Sequence, residues 1–315
     1  MTKLWRQLSI LLLFLTVSAC SSSPAPQPYA TEQGELILEQ GVESHQQGRY
    51  SEAVFLFNEA ANHFRSIDNQ AKLLIALLNL AETAEIIGQQ DLAYKTAHTA
   101  KDLAEQNNLA GQYFRAKLLL ARIQLERGNI EHARKYTDEL LAQAPTDEVA
   151  LRLSALILRA EIALNTEPRD LQWLQRLRQQ NPANPLYKAK ILRVEAAYLQ
   201  VTDLAATQEK QEQALRIYQQ AAYRPGTANA LAELAQTYTL QSAFTHAEDS
   251  VRRALYIRAW LNDNRRAGEL LMQLANIQEQ QGNLPGAQHT RAVMAQLESQ
   301  PAMIRNSGVL NLLDK

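Results

Sequence analysis

Cysteine is almost missing from this 315-residue sequence, Cys20 being the only one. That excludes an intramolecular disulfide framework and any zinc site built from several thiolates. Glycine (11), proline (10) and aromatic residues (6%) are also scarce, too few turn- and strand-formers for a sandwich or barrel of many short strands. Neither sign of charge dominates, with 32 Lys+Arg against 33 Asp+Glu and a formal net charge of -1. There is thus no global basic footprint for nucleic acid and no charge excess of the kind that keeps chains disordered. What the chain does have is 46% hydrophobic residues, with Leu, Ala and Gln prominent, all good helix formers. Its length corresponds to about two globular domains at ~100–200 residues each. In a helical repeat array, by contrast, length counts repeats.

Long apolar runs are missing too, apart from Leu8 to Val17 behind Lys3 and Arg6. About ten apolar residues cannot cross a hydrocarbon core that needs ~20, and small residues follow, so residues 1–19 read as a signal peptide. Val17-Ser18-Ala19-Cys20 resembles the lipobox of bacterial lipoproteins. The resemblance implies an acylated (palmitate-type) Cys20 as mature N-terminus and a membrane anchor. With Ser21 next to it, it also implies an outer-membrane location facing the periplasm. The alternative is an ordinary signal with an incidental Cys20. Anchoring by two or more acyl chains is stable where one is not. Residues 20–33, rich in Ser and Pro, read as the acylated cysteine and a flexible tether, of which Ser21 to Thr31 reaches about 30 Å at ~3.1 Å per residue.

From Gly34 onward the sequence repeats. Gly41, Gly48, Tyr50, Ala53, Phe57 and Ala60 make the clearest copy. Ala81, Gly88, Ala93, Ala97 and Ala100 make a second, and Ala121, Gly128, Ile130, Ala133, Leu140 and Pro145 a third. The pattern returns in Ala235, Tyr238, Phe244, Ala247 and Ala254, and again in Ala275, Gly282, Leu284, Ala287 and Met294. Ala53, Ala93 and Ala133 are forty residues apart, as are Ala247 and Ala287. Small residues let helix axes approach closely, larger ones fill the grooves, and glycine suits the left-handed residue that ends a helix. The spacing resembles the tetratricopeptide repeat in a longer variety, with extended helices or longer turns. The resemblance implies an all-α, tetratricopeptide-type right-handed helical superhelix (an α-solenoid) of about seven helix pairs over residues 34–297. Residues 298–315 form a tail that either caps the last repeat or frays. The centre is degenerate: Leu151–Gln180 and Leu186–Ala222 are read as two further pairs, the second with longer helices.

Catalytic signatures are absent: there is no phosphate loop, dinucleotide loop, nucleophile elbow or paired-histidine zinc motif. His45, His63, His98, His132, His246 and His289 have no second histidine one helical turn away. The reading is therefore non-enzymatic, with no catalytic residue, cofactor or metal and no nucleic-acid partner. In the tetratricopeptide resemblance, fixed positions of each first helix face a concave groove. These give Arg115, Leu118, Arg122 and Leu125 in the third copy, Arg152, Ala155, Arg159 and Ile162 in the fourth, and Arg193 in the fifth. Arg115 with Arg122, and Arg152 with Arg159, are seven apart, on one helix face. Two readings stay open. Either the five arginines form a basic ladder for an acidic segment or C-terminal carboxylate, or they pair with Glu82, Glu85, Glu126 or Glu161 or simply solvate the surface. Asn229, Gln236, Glu269, Asn276 and Glu279 make the C-terminal groove neutral to acidic, and Leu38, Val42, Ile75 and Leu78 make the N-terminal groove apolar.

The function implied is a membrane-anchored periplasmic scaffold or adaptor that binds another envelope protein. Lipoproteins of this description assist cell-wall synthesis, pilus secretin assembly or outer-membrane assembly. The alternative is direct peptidoglycan or glycan binding, with Trp173 or Trp260 stacking on sugar rings.

Overall fold

The computed structural model describes residues 29–165 and 170–300. The proposed signal peptide, Cys20 and the tail after residue 300 lie outside the described residues. Fourteen helices follow one another: α1 (Tyr29–Gln46), α2 (Tyr50–Ser66), α3 (Gln70–Ile86), α4 (Gln90–Gln106), α5 (Ala110–Glu126), α6 (Ile130–Gln143), α7 (Val149–Ala163), α8 (Leu171–Arg178), α9 (Pro185–Leu199), α10 (Leu204–Gln220), α11 (Arg224–Leu240), α12 (Phe244–Trp260), α13 (Asn264–Gln280) and α14 (Leu284–Ser299). They pair as seven antiparallel hairpins stacked into an all-α, tetratricopeptide-type superhelix. The described residues contain no strand and no helix long and apolar enough to cross a membrane.

The forty-residue period has a simple origin. At both ends of the chain, most helices are 17 residues long and are joined by three-residue turns, so one helix plus one turn is twenty residues. The middle residue of each such turn is left-handed: Gly48, Asp68, Gly88, Asn108, Gly128, Ala222, Ser242, Asn262 and Gly282 all have φ between 50 and 80°. The amide one residue later bonds back to the last helical turn, as Arg49 N does to Ser44 O (2.8 Å) and Asn69 N to Phe64 O (2.9 Å). That closes each helix as a Schellman motif. The turns within and between pairs are thus equally tight, and the period lengthens through the helices alone. The sequence shows half of this, because glycine occupies only four of the nine positions.

The anchor alanines lie at the helix crossings. Ala53, Ala60, Ala93, Ala97, Ala100, Ala133, Ala247 and Ala254 are fully buried, while Phe57, Phe64, Leu74, Leu120, Leu231 and Leu271 fill the spaces between helices. Two boundaries differ from the sequence reading. α1 begins at Tyr29, so the last five residues assigned to the tether are helical, and α9 is a 15-residue helix, not a long one. The centre is irregular because Pro145 holds Ala144 extended (ψ 141°) and stops α6 at Gln143, and because α8 has only eight residues.

The superhelix closes on itself. Tyr50, Ile87 and Leu261 form a buried cluster with Val54, Ile86 and Ile257, joining the first two pairs to the turn between α12 and α13. Around it, Asn262 Nδ2 donates to Ser51 Oγ (3.2 Å) and Arg265 pairs with Glu126 (2.9 Å). Arg266 bonds the main-chain oxygens of Glu85 and Ile86 (3.4 and 3.3 Å) and pairs with Glu126. Arg224 Nη1 donates to Gln47 O (3.4 Å).

Candidate functional site

Because the superhelix closes, its concave face is a channel of adjoining cavities with shared walls. A mouth of about 470 Å³ lies among Gly111, Arg115, Glu148, Leu151 and Tyr187. It shares Glu82, Leu118, Arg122, Ser154 and Lys190 with a central chamber of about 200 Å³. The chamber shares Asn229, Arg258 and Arg266 with a third cavity of about 630 Å³ between α11 and α13.

One rule places the lining residues. On α5, Arg115, Leu118, Leu119 and Arg122 face the channel; they stand five, eight, nine and twelve places after Ala110. On α7, Ser154, Ile157, Leu158 and Glu161 stand at the same four places after Val149. On α9 the first two places are Lys190 and Arg193, and on α13 all four are filled by Glu269, Met272, Gln273 and Asn276.

The predicted basic ladder is therefore only partly assembled. Arg115, Arg122 and Arg193 line the channel, but Arg152 and Arg159 do not. Arg152 lies in a separate cleft and donates to Ala144 O (2.8 Å). Arg159 is buried, pairs with Asp138 (2.7 Å) and covers the Trp173 ring at 4.5 Å. Ala155 and Ile162, assigned to the same groove, are fully buried in the core. The physical reason is the five-residue linker 144–148, which makes up for the shortened α6. Ser154 follows Arg115 by 39 residues (154 − 115), close to the forty-residue register, whereas placing Arg152 in the groove implies 37.

The three arginines in the channel are already compensated. Arg115 bonds Glu82 (2.6 Å) and Asn79 (3.0 Å), Arg122 bonds Glu85 (2.9 Å), and Arg193 holds Glu233 in a bidentate pair. In the structure these three arginines pair with carboxylates of neighbouring helices. Burial raises the Glu82 carboxyl, but Arg122 and Arg115 outweigh it and hold the group below the usual carboxylate range. Burial opposes the charge on Arg193, but Glu233 overrides it and raises that pKa. Arg258 is 2% exposed, bonded to Asp263 (3.1 Å) and Asn229, and burial pulls its pKa down to about 10.

The third cavity differs in kind. Gln200, Asn229, Gln236, Gln273, Asn276 and Gln280 contribute six carboxamides to its wall, beside exposed Leu240 and Met272. Of the residues assigned to this groove, Asn229, Gln236, Glu269 and Asn276 line it, while Glu279 pairs with Arg291 (2.5 Å) away from it. In the apolar N-terminal set, Leu38 and Leu78 are buried in the core and only Val42 and Ile75 reach solvent. Both tryptophans among the described residues have a guanidinium on the ring. Arg159 and Arg176 lie 4.5 and 4.7 Å from the Trp173 centroid, and Arg224 lies 3.8 Å from that of Trp260. Among the described residues, no three His, Cys, Asp or Glu side chains converge as a metal site. Lys190, Tyr223, Arg258 and Arg266 were not picked out by sequence reasoning, although the rule of places after each helix start finds Lys190.

No protein-family model matches the sequence and no curated protein shows a significant match. Solved structures are similar in fold. The Rap conjugation gene regulator of the plasmid pLS20, in complex with the Phr* peptide, superposes with a TM-score of 0.69 at 11% identity, covering 92% of this chain and 81% of that one. A Rap protein complexed with Competence and Sporulation Factor gives 0.53 at 12% identity, covering 89% and 78%. A tetratricopeptide repeat protein from Parabacteroides merdae gives 0.45 at 14% identity, covering 90% and 100%.

Proposed function

We propose that the protein is a non-enzymatic scaffold that binds an extended segment of another protein in its channel. The carboxamide-lined cavity carries this reading. Asn229 and Gln236 on α11, and Gln273 and Gln280 on α13, are each seven residues apart along one helix face. Seven helical residues rise ~10.5 Å, close to the ~10 Å spanned by three residues of extended chain. A carboxamide offers one acceptor and two donors, the complement of a peptide group. Asn229 Oδ1 already accepts from Arg258 and Gln273 Nε2 donates to Ala232 O (3.1 Å), but the Asn229 donors and the Gln273 oxygen remain, so each pair can bond a main chain at two points whatever its sequence. Gln236, Asn276 and Gln280 have no side-chain partner within the described residues and are free to do so. The two Rap structures with bound Phr* peptide and Competence and Sporulation Factor add support by analogy of fold alone.

In this reading Cys20 is acylated and holds the scaffold at the outer membrane, facing the periplasm, and the partner is an envelope protein. A photo-crosslinking residue at Gln236 or Asn276, compared with one at Arg134 on the outer surface, tests the site in whole cells. Capture of one and the same protein from the two channel positions, and not from residue 134, is the expected result. Equal labelling from all three overturns the channel as the binding site. Replacing Cys20 with Ser releases the protein from the membrane fraction; a variant that stays there overturns the anchor.

A further inference from the structure

Eight charged side chains line the central chamber, and six of them are compensated. Glu82 is matched by Arg115, Glu85 by Arg122, Arg193 by Glu233, Arg258 by Asp263, and Arg266 by Glu126. Glu161 and Lys190 are the exceptions. They stand on α7 and α9, packed side by side, and among the described residues neither side chain forms a hydrogen bond or an ion pair. The Lys190 ammonium stands over the Tyr187 ring, 5.5 Å away, and feels Glu161 and Glu85 only at a distance. An unpaired carboxylate and an unpaired ammonium thus open onto one chamber without meeting.

This arrangement is unfavourable for both charges. Burial pushes the Glu161 carboxyl up although Arg193 and Lys190 pull it down. Burial pushes the Lys190 amine down, and Arg122 adds to that. Charges withdrawn from water need partners, and residues perturbed in this way inside a cleft mark candidate functional sites. Arg122 adds a third unmet group, because its Nε is buried with no acceptor. The remaining wall is apolar, formed by Ile86, Leu118, Ile157, Leu158 and Pro225.

We propose that the central chamber recognises two neighbouring side chains of opposite charge on the bound peptide: a cation received by Glu161 and an anion received by Lys190, with Arg122 Nε as second donor. The inference rests on the channel being a peptide site and adds the charge pattern of its occupant. The size agrees, because a cavity of ~150 Å³ admits a benzene-sized group, so about 200 Å³ admits side-chain ends and not a folded element. A ligand of one sign only leaves one of the two residues unpaired and facing a like charge. An exclusively acidic ligand, the natural reading of five groove arginines, is thereby disfavoured.

The test uses the full chain and a set of hexapeptides with acetylated and amidated ends, so that only side chains carry charge. Binding is read by fluorescence polarisation. Peptides with one Lys and one Glu within three residues bind about tenfold more tightly than matched peptides with two Glu, two Lys or two Gln, the size of effect one charged hydrogen bond supplies. Glu161→Gln removes the preference for Lys only, and Lys190→Met the preference for Glu only, while the Gln peptides bind both variants as they bind the wild type. Preference for two Glu, or selectivity unchanged in both variants, overturns the inference and leaves the peptide site standing. No binding by any peptide overturns both. Should a variant fail to fold, the wild-type ranking decides the question by itself.

Discussion

Asp263, in the turn before α13, is packed against Gly88, in the turn after α3. A β-carbon at residue 88 would lie 2.6 Å from Asp263 Oδ1. The two turns are 175 residues apart in the chain (263 − 88), and their contact is part of the seam where the superhelix meets itself. Asp263 is fully buried, accepts from Arg266 N (3.1 Å) at the start of α13 and pairs with Arg258 (3.1 Å). One carboxylate thus caps a helix, neutralises a buried guanidinium and supports the closure.

Gly88→Ala and Gly128→Ala separate backbone strain from closure. Both glycines are left-handed (φ +74 and +76°), but a β-carbon at 128 meets nothing within 4 Å. Gly128→Ala is expected to cost ~1–2 kcal/mol of strain. Gly88→Ala is expected to cost ~1–3 kcal/mol more for overpacking against Asp263. Urea denaturation of the two variants reads the difference, and equal losses would mean that the seam is open in solution. By the same strain argument, Ala222→Gly, at φ +50°, stabilises by ~0.5–1 kcal/mol.

Arg266 is the principal cation of the seam, bonded to Glu126, Asp263 and two main-chain carbonyls of α3. Arg266→Ala is expected to cost ~3–5 kcal/mol, as for breaking a buried pair, and to enlarge the radius of gyration in small-angle scattering. Glu126→Ala should give a coupling of ~0.5–3 kcal/mol with it in a double-mutant cycle. Additive effects would show that the two residues do not meet.

His45 donates to or accepts from Thr83 Oγ1 at 2.9 Å, and burial lowers its pKa below the ordinary 6.5. A depressed pKa means the folded state prefers the neutral ring. The stability it contributes is present above pH 6.5 and is lost as pH falls through the folded value. Denaturation midpoints should therefore fall on acidification below pH 6.5, and less so in His45→Gln. An identical slope in the variant would place the sensitivity elsewhere.

Glu161→Gln with Lys190→Met is expected to raise the melting temperature at pH 7. Glu161 is shifted up and Lys190 down, so the charged form of each is disfavoured there. The carboxyl penalty is relieved only as pH falls through the raised value, and the amine penalty only as pH rises through the lowered one. Removing both charges should gain ~0.5–2 kcal/mol, within the range for relieving unsatisfied buried polar groups. A drop in stability would mean that the two side chains support the fold.

The repeat was legible because it is written in small residues at fixed spacing. Ala53, Ala93 and Ala133 must be small wherever helix axes cross, and Gly48, Gly88 and Gly128 report left-handed turns directly. The other left-handed positions were hidden, because Asp68, Asn108, Ala222, Ser242 and Asn262 adopt the same conformation without advertising it. Arg115, Arg122 and Arg193 line the channel because their helices keep the regular register. Arg152 and Arg159 lie outside it, because a proline shortens one helix and a longer linker absorbs the change.

Local sequence determined what depends on neighbours along the chain: helical periodicity, turn positions, seven pairs and the expectation of a groove. Electrostatic character was decided by tertiary structure, because charge in a groove is a sum over helices far apart in sequence. Arg193 is neutralised by Glu233 forty residues on, and Arg266 reaches Glu85 and Ile86 from about 180 residues away. Only the closed superhelix turns an apparently basic ladder into a compensated channel in which Glu161 and Lys190 stand unpaired.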